Sequence, residues 1–355
     1  MILTLVADWS IALVPVLLMA VLFAWLDVFK LMSVLEMTSL LLLGAMTAVL
    51  AWPLSGQVLD QLPMGYSFYS RIVAPWIEEA LKGLALTLLI GTNRIGFKLD
   101  AIISGFAIGA GFSVVENILF LLRFPELPAA VWMVRGLGTA VMHGATTAIL
   151  AAVAHGIYER SLRRQGSVRR FNPLWMLPGY IAASLLHLAF NQFPDKPVLV
   201  MIVTLVVAPL LLIALLRLGE GETQKWLAED SEGHRRWLAE WRAGGFPADA
   251  SGQRIAALAA RATPEGAELI RAFCILKTEL VLAAEEELID RDRRLDEDEA
   301  ERVRAAFAKL GRLKKELGRV RYAELRRQLP FSANDDWELG ELRELLGSGT
   351  IDPRK

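Results

Sequence analysis

Ionisable side chains occur inside long apolar stretches of this 355-residue chain. Glu78 and Glu79 share one stretch, and Glu116, His143 and His187 lie in three others. An ionisable side chain deep in hydrocarbon costs at least ~2.5–3.5 kcal/mol on insertion scales, so residues of this kind indicate function. These five side chains are therefore candidates for one shared reaction.

One chemistry that suits them is zinc-dependent hydrolysis. Two histidines and a carboxylate as ligands, with another glutamate as general base, form a hydrolytic zinc site. Here the candidate ligands are Glu116, His143 and His187, and the candidate base is Glu78 or Glu79. Bound zinc lowers the pKa of a water molecule towards ~7, and the base takes the proton. Zinc is the cofactor that this version predicts.

A metal-free version uses the same side chains. A glutamate–histidine pair activates water, and a second histidine with Asn191 polarises the carbonyl group of the substrate. Asn191 can also stabilise the developing oxyanion. The predicted catalytic residues are thus Glu78, Glu79, His187 and Asn191. The sequence leaves the choice between the two versions open, and both need water to reach the site.

Spacing within each helix predicts which side chains share a face. Glu78 with Lys82, and His187 with Asn191, are four residues apart, so each can act as a pair. Glu79 is turned about 100° from Glu78 around the helix, which predicts different partners for the two carboxylates.

Three glycines precede Glu116, at Gly105, Gly109 and Gly111. Small residues let neighbouring helices approach closely. A close approach is what a polar site shared between helices requires, so these glycines are expected to bring helices together near the site.

Apolar stretches long enough to cross a bilayer must position these residues. A span needs about 20 mostly apolar residues. The second of the candidates is the shortest, unless it starts before Glu36. Together they predict an all-α fold, a polytopic transmembrane bundle of about seven spans. The predicted spans are 11–28, 39–54, 72–90, 99–122, 131–155, 174–193 and 198–216.

The candidate site residues fall at one depth in these spans. With a rise of about 1.5 Å per residue, Glu78, Glu116 and His187 lie roughly 9–10 Å below the outer surface. His143 lies at roughly 12 Å, taking Arg135 as the outer boundary of its span. Four helices therefore place their polar groups in one layer, which scattered charges would not do.

Lysine and arginine in the short loops predict the orientation of the chain. The loop after the fifth span is expected to be cytoplasmic, together with Lys30 and the loop that holds Arg94 and Lys98. The N-terminus is then outside and the C-terminus inside. The fifth loop contains Arg160, Arg163, Arg164, Arg169 and Arg170.

The last third of the chain differs in composition, because about two thirds of the charged residues follow position 217. We predict a membrane-embedded, protease-like bundle over 1–217 and a soluble cytosolic helical domain over 218–355. Apolar stripes within 269–280 and 302–329 predict two packed helices, a hairpin joined by the acidic run 290–301. We interpret the second stripe as a packing seam rather than a coiled coil.

Other polar residues receive no role in the site. His155 is interpreted as interfacial, and His234 as a residue of the C-terminal domain without metal-like neighbours. Cys274, the single cysteine, is interpreted as a buried cytosolic thiol. The net charge of −1 gives no argument for nucleic acid as a partner.

Three motifs in chain order carry a family resemblance. They are Glu78-Glu79-x-x-Lys82, Phe112-x-x-x-Glu116 and His187-x-x-x-Asn191. The region 70–195 resembles the PrsW family of intramembrane proteases, within the wider CAAX-protease and bacteriocin-processing superfamily. Lys82 stands one position early for that superfamily, and Glu116 replaces a usual histidine. Both departures fit the PrsW branch, and they argue against transferring the CAAX enzymes' histidine role to Glu116.

The resemblance implies cleavage of membrane-anchored proteins, with anti-sigma factors the best-known type of substrate. It also implies the plasma membrane of a bacterium, with a single-span membrane protein in the lipid bilayer as the partner. A partner of the cytosolic domain is left unidentified, because the resemblance does not cover that part of the chain.

Two other functions compete with proteolysis. A proton-coupled or small-molecule transporter, or a channel, also uses intramembrane Glu, Lys and His side chains. Such proteins often contain internal repeats with a site near the midplane, and the sequence has neither feature. A non-catalytic membrane receptor that signals through its helical C-terminal domain is the second alternative.

Overall fold

The computed structural model describes residues 2–25, 34–165, 171–289 and 296–347, and every regular element in them is a helix. The chain divides into two compact units. The membrane unit is Met1–Arg160 with Phe171–Glu220, and the C-terminal unit is Gly221–Lys355 with Ser161–Arg170. The positions of Lys30, Arg169 and Arg170, used to predict orientation, lie outside the described residues.

The helices that begin in the membrane unit follow one another through short connections. They are α1 (Ile2–Trp25), α2 (Val34–Gln61), α3 (Tyr66–Phe68), α4 (Ala74–Gly91), α5 (Lys98–Arg123), α6 (Ala129–Met133), α7 (Ala140–Gln165), α8 (Met176–Asn191) and α9 (Pro197–Arg242). The predicted boundary between residues 217 and 218 falls inside α9, which continues to Arg242.

Several of these helices can cross a membrane. Within the described residues, five are long and apolar enough, and Val6–Met19 adds a shorter apolar segment. Helix α4 is not among the five, and it carries Glu78, Glu79 and Lys82. The second predicted span starts at Val34, before Glu36, and so reaches 28 residues. The protein is therefore a multi-pass membrane protein, while the number of seven spans stays a prediction.

Burial separates the inner helices of the membrane unit from the outer ones. In the apolar window of Ala129–Ser161, 83% of the residues are buried, against 17% in that of Pro197–Leu218. The exposed side of the latter consists of large apolar side chains such as Val206 and Leu210. A contiguous apolar surface of this kind suits lipid contact rather than water.

Glycines bring helix backbones into direct contact around α5, as the sequence predicts. A β-carbon at Gly111 would overlap the carbonyl oxygen of Leu41 in α2. On the other side of α5, a β-carbon at Gly109 would overlap the carbonyl oxygen of His143 in α7. Helix α5 is therefore packed between α2 and α7 without side chains separating the backbones.

Replacing Gly109 by Ala is expected to destabilise the protein, because the new methyl group must displace the backbone that carries His143. Forced overpacking costs about 1–3 kcal/mol. Thermal unfolding of the purified protein in detergent measures the change. Gly91→Ala is the matched control, since nothing lies within 4 Å of a β-carbon there. Equal melting temperatures for both variants would contradict this packing.

Two π-helical turns, Tyr69–Val73 before α4 and Val134–Thr139 before α7, precede the helices with candidate site residues. Their carbonyl groups accept hydrogen bonds from side chains of other helices. Asn191 donates to the carbonyl oxygen of Ser70 at 3.0 Å, and Asn117 donates to that of Arg135 at 3.4 Å. Turns of this type are frequent at functional sites.

The C-terminal unit continues with five further helices that surround their own apolar core. Trp241, Phe273, Leu280, Leu325 and Leu342 are buried in that core. The helices are α10 (Ala250–Ala260), α11 (Pro264–Ile289), α12 (Glu297–Leu317), α13 (Arg319–Gln328) and α14 (Ala333–Gly347). Solubility and a cytosolic location of this unit stay predictions.

The second predicted stripe is two helices rather than one. Gly318, with φ of 73°, separates α12 from α13, a conformation that favours glycine. Val320 follows this break and is 84% exposed, so its predicted place in the stripe is wrong. Helices α11 and α12 pack together as expected. The part 290–295 of the acidic run lies outside the described residues, and Asp296 caps α12.

Candidate active site

Five of the six predicted site residues line one cavity in the membrane unit, of about 760 Å³, and Glu79 does not. Its wall contains Glu78, Glu116, His143, His187 and Asn191, which come from four helices. The structure therefore brings together the residues that the sequence places at one depth. Their catalytic and metal-binding roles stay predictions.

Glu79 is fully buried and gathers three donors on one oxygen. Its Oε1 lies 2.6 Å from Lys82 Nζ, 3.0 Å from His187 Nδ1 and 3.2 Å from Thr146 Oγ1. A buried carboxylate is tolerated only when it is paired and hydrogen-bonded in this way. Glu79 thus links α4, α7 and α8 behind the cavity.

Lys82 pairs with Glu79, so the predicted pair of Lys82 with Glu78 is wrong. Residues three apart also share a helical face, and this spacing joins Glu79 to Lys82. Lys82 Nζ also lies 3.0 Å from Nδ1 of His143. Lys82 therefore lies between Glu79 and His143, away from Glu78. Different partners for the two adjacent carboxylates were predicted, but His187 lies beside both of them, at 3.0 Å from Glu79 and 3.8 Å from Glu78.

The ring of His143 is held from both sides. A lysine ammonium has no acceptor, so Lys82 donates to Nδ1 of His143. Nε2 of His143 then carries the hydrogen and donates to Oε2 of Glu116 at 3.1 Å. Arg135 lies 3.0 Å from the same oxygen of Glu116 and stacks on Phe120, 3.7 Å from the ring centre.

Glu78 differs from Glu79 because its carboxylate faces the cavity. Oε2 of Glu78 lies 3.8 Å from Nε2 of His187, beyond hydrogen-bond distance. Among the described residues this oxygen has no hydrogen-bond partner, although it is buried. His187 donates from Nδ1 to Glu79, so the lone pair of Nε2 is directed towards Glu78 and the cavity.

A metal fits this arrangement best between Glu78, His143 and His187. One atom from each lies within 4.8 Å of the others, and the unpartnered oxygen of Glu78 is a free ligand. Glu79 holds the other nitrogen of His187, as carboxylates commonly do for metal-binding histidines. Glu116, the carboxylate predicted as a ligand, is engaged by Arg135 and His143 instead.

Two residues of the site were not predicted from the sequence. Arg135 was interpreted only as a span boundary, yet it neutralises Glu116. A buried Glu116 requires a cation at the same depth in the membrane, and this requirement could have identified Arg135 from the sequence. Thr146 carried no signal in the sequence, because its hydrogen bond to Glu79 depends on how α4 and α7 pack.

Three residues outside the site also have definite places. His155 is fully buried in the protein, 3.3 Å from Glu159, and its interfacial position stays a prediction. His234 lies among carboxylates within the C-terminal unit, so the expectation that it lacks metal-like neighbours is wrong. Cys274 is buried as predicted, and burial raises the pKa of its thiol to about 12, so it is unreactive.

The cavity combines the groups that peptide hydrolysis needs. A free carboxylate next to an imidazole can accept a proton from water, and an amide with cationic side chains nearby can stabilise an oxyanion. Glu78 with His187, and Asn191 with Arg135, line the same wall.

Comparison with known families agrees with this chemistry. A family model described as PrsW family intramembrane metalloprotease matches residues 17–215, more than half of the chain. No curated protein and no solved structure matches the chain significantly.

Proposed function

This chain belongs to the PrsW family of intramembrane proteases, and we propose that it cleaves membrane-anchored proteins with water activated by Glu78 beside His187. The observation that carries the proposal is the unpartnered carboxylate oxygen of Glu78 on the cavity wall, 3.8 Å from Nε2 of His187. A general base must be near the proton that it takes, and these two groups flank one position.

The hydrolytic step assigned to Glu78 is simple proton transfer and attack. Glu78 takes a proton from water as the water oxygen bonds to the carbonyl carbon of the substrate. The proton then passes to the leaving amide nitrogen, and the carbon–nitrogen bond breaks. Asn191 and Arg135, both on the cavity wall, are the groups we assign to the oxygen that becomes negative.

Glu79 acts in this scheme as a positioning residue. It fixes the tautomer and orientation of His187 by accepting the hydrogen of Nδ1. It also holds Lys82, which in turn fixes His143. Three donors occupy Oε1 of Glu79, and Glu79 is not on the cavity wall, so we assign the base to Glu78.

A divalent metal, with zinc as the candidate, would be held by Glu78, His143 and His187. Such an ion supplies a water of lowered pKa, near ~7, and polarises the substrate carbonyl. In that version Glu116 is the carboxylate remaining on the cavity wall to take a proton. The lone pair of His187 Nε2 already suits a ligand, whereas His143 must exchange its hydrogen bond to Glu116.

The proposed substrate is a single-span membrane protein, unwound at the cleaved bond. A cavity of about 760 Å³ has the size of small-ligand sites and so accommodates a short peptide segment. Trp52, Phe120, Phe124 and Phe193 line it together with the polar groups. Apolar side chains of a membrane segment match that aromatic part of the wall. Anti-sigma-factor-like proteins are the substrate type that family resemblance suggests.

The location follows the same proposal. We assign the protein to a bacterial plasma membrane with the N-terminus outside and the C-terminal unit in the cytosol, on the basis of the five arginines between positions 160 and 170 of the sequence. The polar layer then lies near the outer face, where water reaches it. A cytosolic partner of the C-terminal unit is unidentified.

The full chain, purified in detergent and incubated with a single-span substrate, tests the proposal. Cleavage is expected, together with its loss in His187→Ala. Metal analysis of the same two samples distinguishes the metal-dependent mechanism from the metal-free one. Stoichiometric zinc that disappears in His187→Ala would support the metal-dependent mechanism. Proton-driven flux in vesicles without any cleavage would overturn the protease assignment in favour of transport.

A further inference from the structure

A second group of buried ionisable residues lies in the C-terminal unit, apart from the membrane site. Asp230, His234, Glu285 and Asp335 each offer one ligand atom, and these atoms all lie within 4.8 Å of one another. Three helices supply them, because Asp230 and His234 are on α9, Glu285 is on α11 and Asp335 is on α14. His234, Glu285 and Asp335 are almost completely buried.

A fifth residue indicates that this group is more than an internal ion pair. Glu338, one turn after Asp335 on α14, is fully buried, and neither of its carboxylate oxygens has a hydrogen-bond partner among the described residues. One oxygen of Asp335 is equally unpartnered. Buried carboxylates without partners are costly, so their presence points to a missing cation.

The group holds three carboxyl groups, of Asp230, Glu285 and Asp335, around one imidazole, and Glu338 interacts electrostatically with all three. Burial, followed by the charges of Asp335, Glu285 and Asp230, raises the pKa of Glu338 well above its usual range. Burial likewise raises the pKa of Asp335 to about 7. Burial alone would lower the pKa of His234, but the hydrogen bond to Glu285 and the charges of nearby carboxylates raise it to about 9.

From this geometry we infer that the C-terminal unit binds one divalent transition-metal ion through His234, Asp230 and Asp335, with the unpartnered carboxylate of Glu338 nearby on α14. Histidine and carboxylates projecting inward from facing helices are how helical bundles build such sites. An imidazole ligand favours the manganese-to-zinc series over Mg²⁺ and Ca²⁺, which prefer oxygen ligands alone.

Glu285 has a different part in this site, as a positioning residue. It accepts from Nδ1 of His234 at 2.6 Å and from the hydroxyl of Ser231 at 2.7 Å. Nε2 of His234 then faces Asp335, 3.9 Å away, and is the nitrogen that would bind the ion after releasing its proton. A carboxylate that fixes the outer nitrogen of a ligand histidine is a common arrangement at metal sites. Trp237 and Phe331 pack against the imidazole and exclude water.

Metal content of the full chain tests the inference. The protein is purified in detergent as the His187→Ala variant, so that an ion in the membrane unit does not contribute. Elemental analysis for manganese, iron, cobalt and zinc is expected to find about one equivalent. Adding Asp335→Asn should lower the content at least about tenfold, whereas Glu286→Gln, a matched change at an exposed neighbour of Glu285, should not.

A second measurement does not depend on folding of the Asp335→Asn variant. After chelation, the His187→Ala protein is titrated with Co²⁺, and visible absorption bands that saturate at one equivalent are expected. Chelation should also lower the melting temperature by several degrees, and metal should restore it. No bands and no bound metal would overturn the inference. The inference would also be overturned if Asp335→Asn raised the melting temperature without changing the metal content. The buried carboxyl groups would then share protons instead of binding a metal.

Discussion

Replacing Glu78 by Gln is expected to lower the rate of substrate cleavage by about 10²–10⁴-fold, the usual contribution of a general acid or base. The change removes the proton acceptor and keeps the size of the side chain. Oε2 of Glu78 has no hydrogen-bond partner among the described residues, so folding should be little affected. Cleavage of a single-span substrate by the detergent-purified variant measures the rate, and thermal unfolding checks the fold.

Glu126→Gln is the matched control for this prediction, because Glu126 is an exposed glutamate in the connection between α5 and α6. It should cleave at the rate of the unchanged protein. If Glu78→Gln kept more than about a tenth of the activity while Glu79→Gln lost all of it without unfolding, the assignment of the base to Glu78 would be wrong.

Lys82→Met is expected to cause the largest loss of stability, lowering the free energy of unfolding by about 3–5 kcal/mol. The substitution leaves Glu79 as a fully buried carboxylate without its cation, since both side chains of this pair are 0% exposed. It also removes the donor to His143. Denaturant or thermal unfolding in detergent measures the change.

An exposed ion pair provides the control for Lys82→Met. Lys225 and Glu229 are spaced like a helical pair, but both are largely exposed, and such pairs contribute at most about 1 kcal/mol. Lys225→Met should therefore be nearly silent. The double variant of Glu79→Gln with Lys82→Met should lose less stability than the sum of the single variants, because no buried charge is left uncompensated. Strict additivity would refute the coupling of these two residues.

The helical fold could be predicted from the sequence, because apolar runs of spanning length are a local signal. Helix α2 illustrates the limit, since its described part already begins at Val34, whereas hydropathy alone placed the span near residue 39. The break at Gly318 was also missed, because the apolar spacing on either side of it continues across the break. Spacing alone does not reveal a change of helix direction.

Which residues belong to the site could largely be predicted from the sequence, but which of them contact each other could not. The cost of a buried charge identifies Glu78, Glu79, Glu116, His143 and His187 without knowledge of their neighbours. Partners depend on packing between helices distant in sequence. The same reason applies to His234: Asp230 is one turn away on α9, but Glu285 and Asp335 come from α11 and α14, 51 or more residues further along the chain.

The direct backbone contacts of α5 also set the rotational register of the bundle. Because Gly111 faces α2 and Gly109 faces α7, any turn of α5 about its own axis would drive the β-carbon of Ala110 or Phe112 into a neighbouring backbone. Glu116 lies two turns beyond Gly109 on the same helix, and Gly109 abuts the carbonyl group of His143 itself. Residues without side chains thereby fix the distance across which Glu116 and His143 meet.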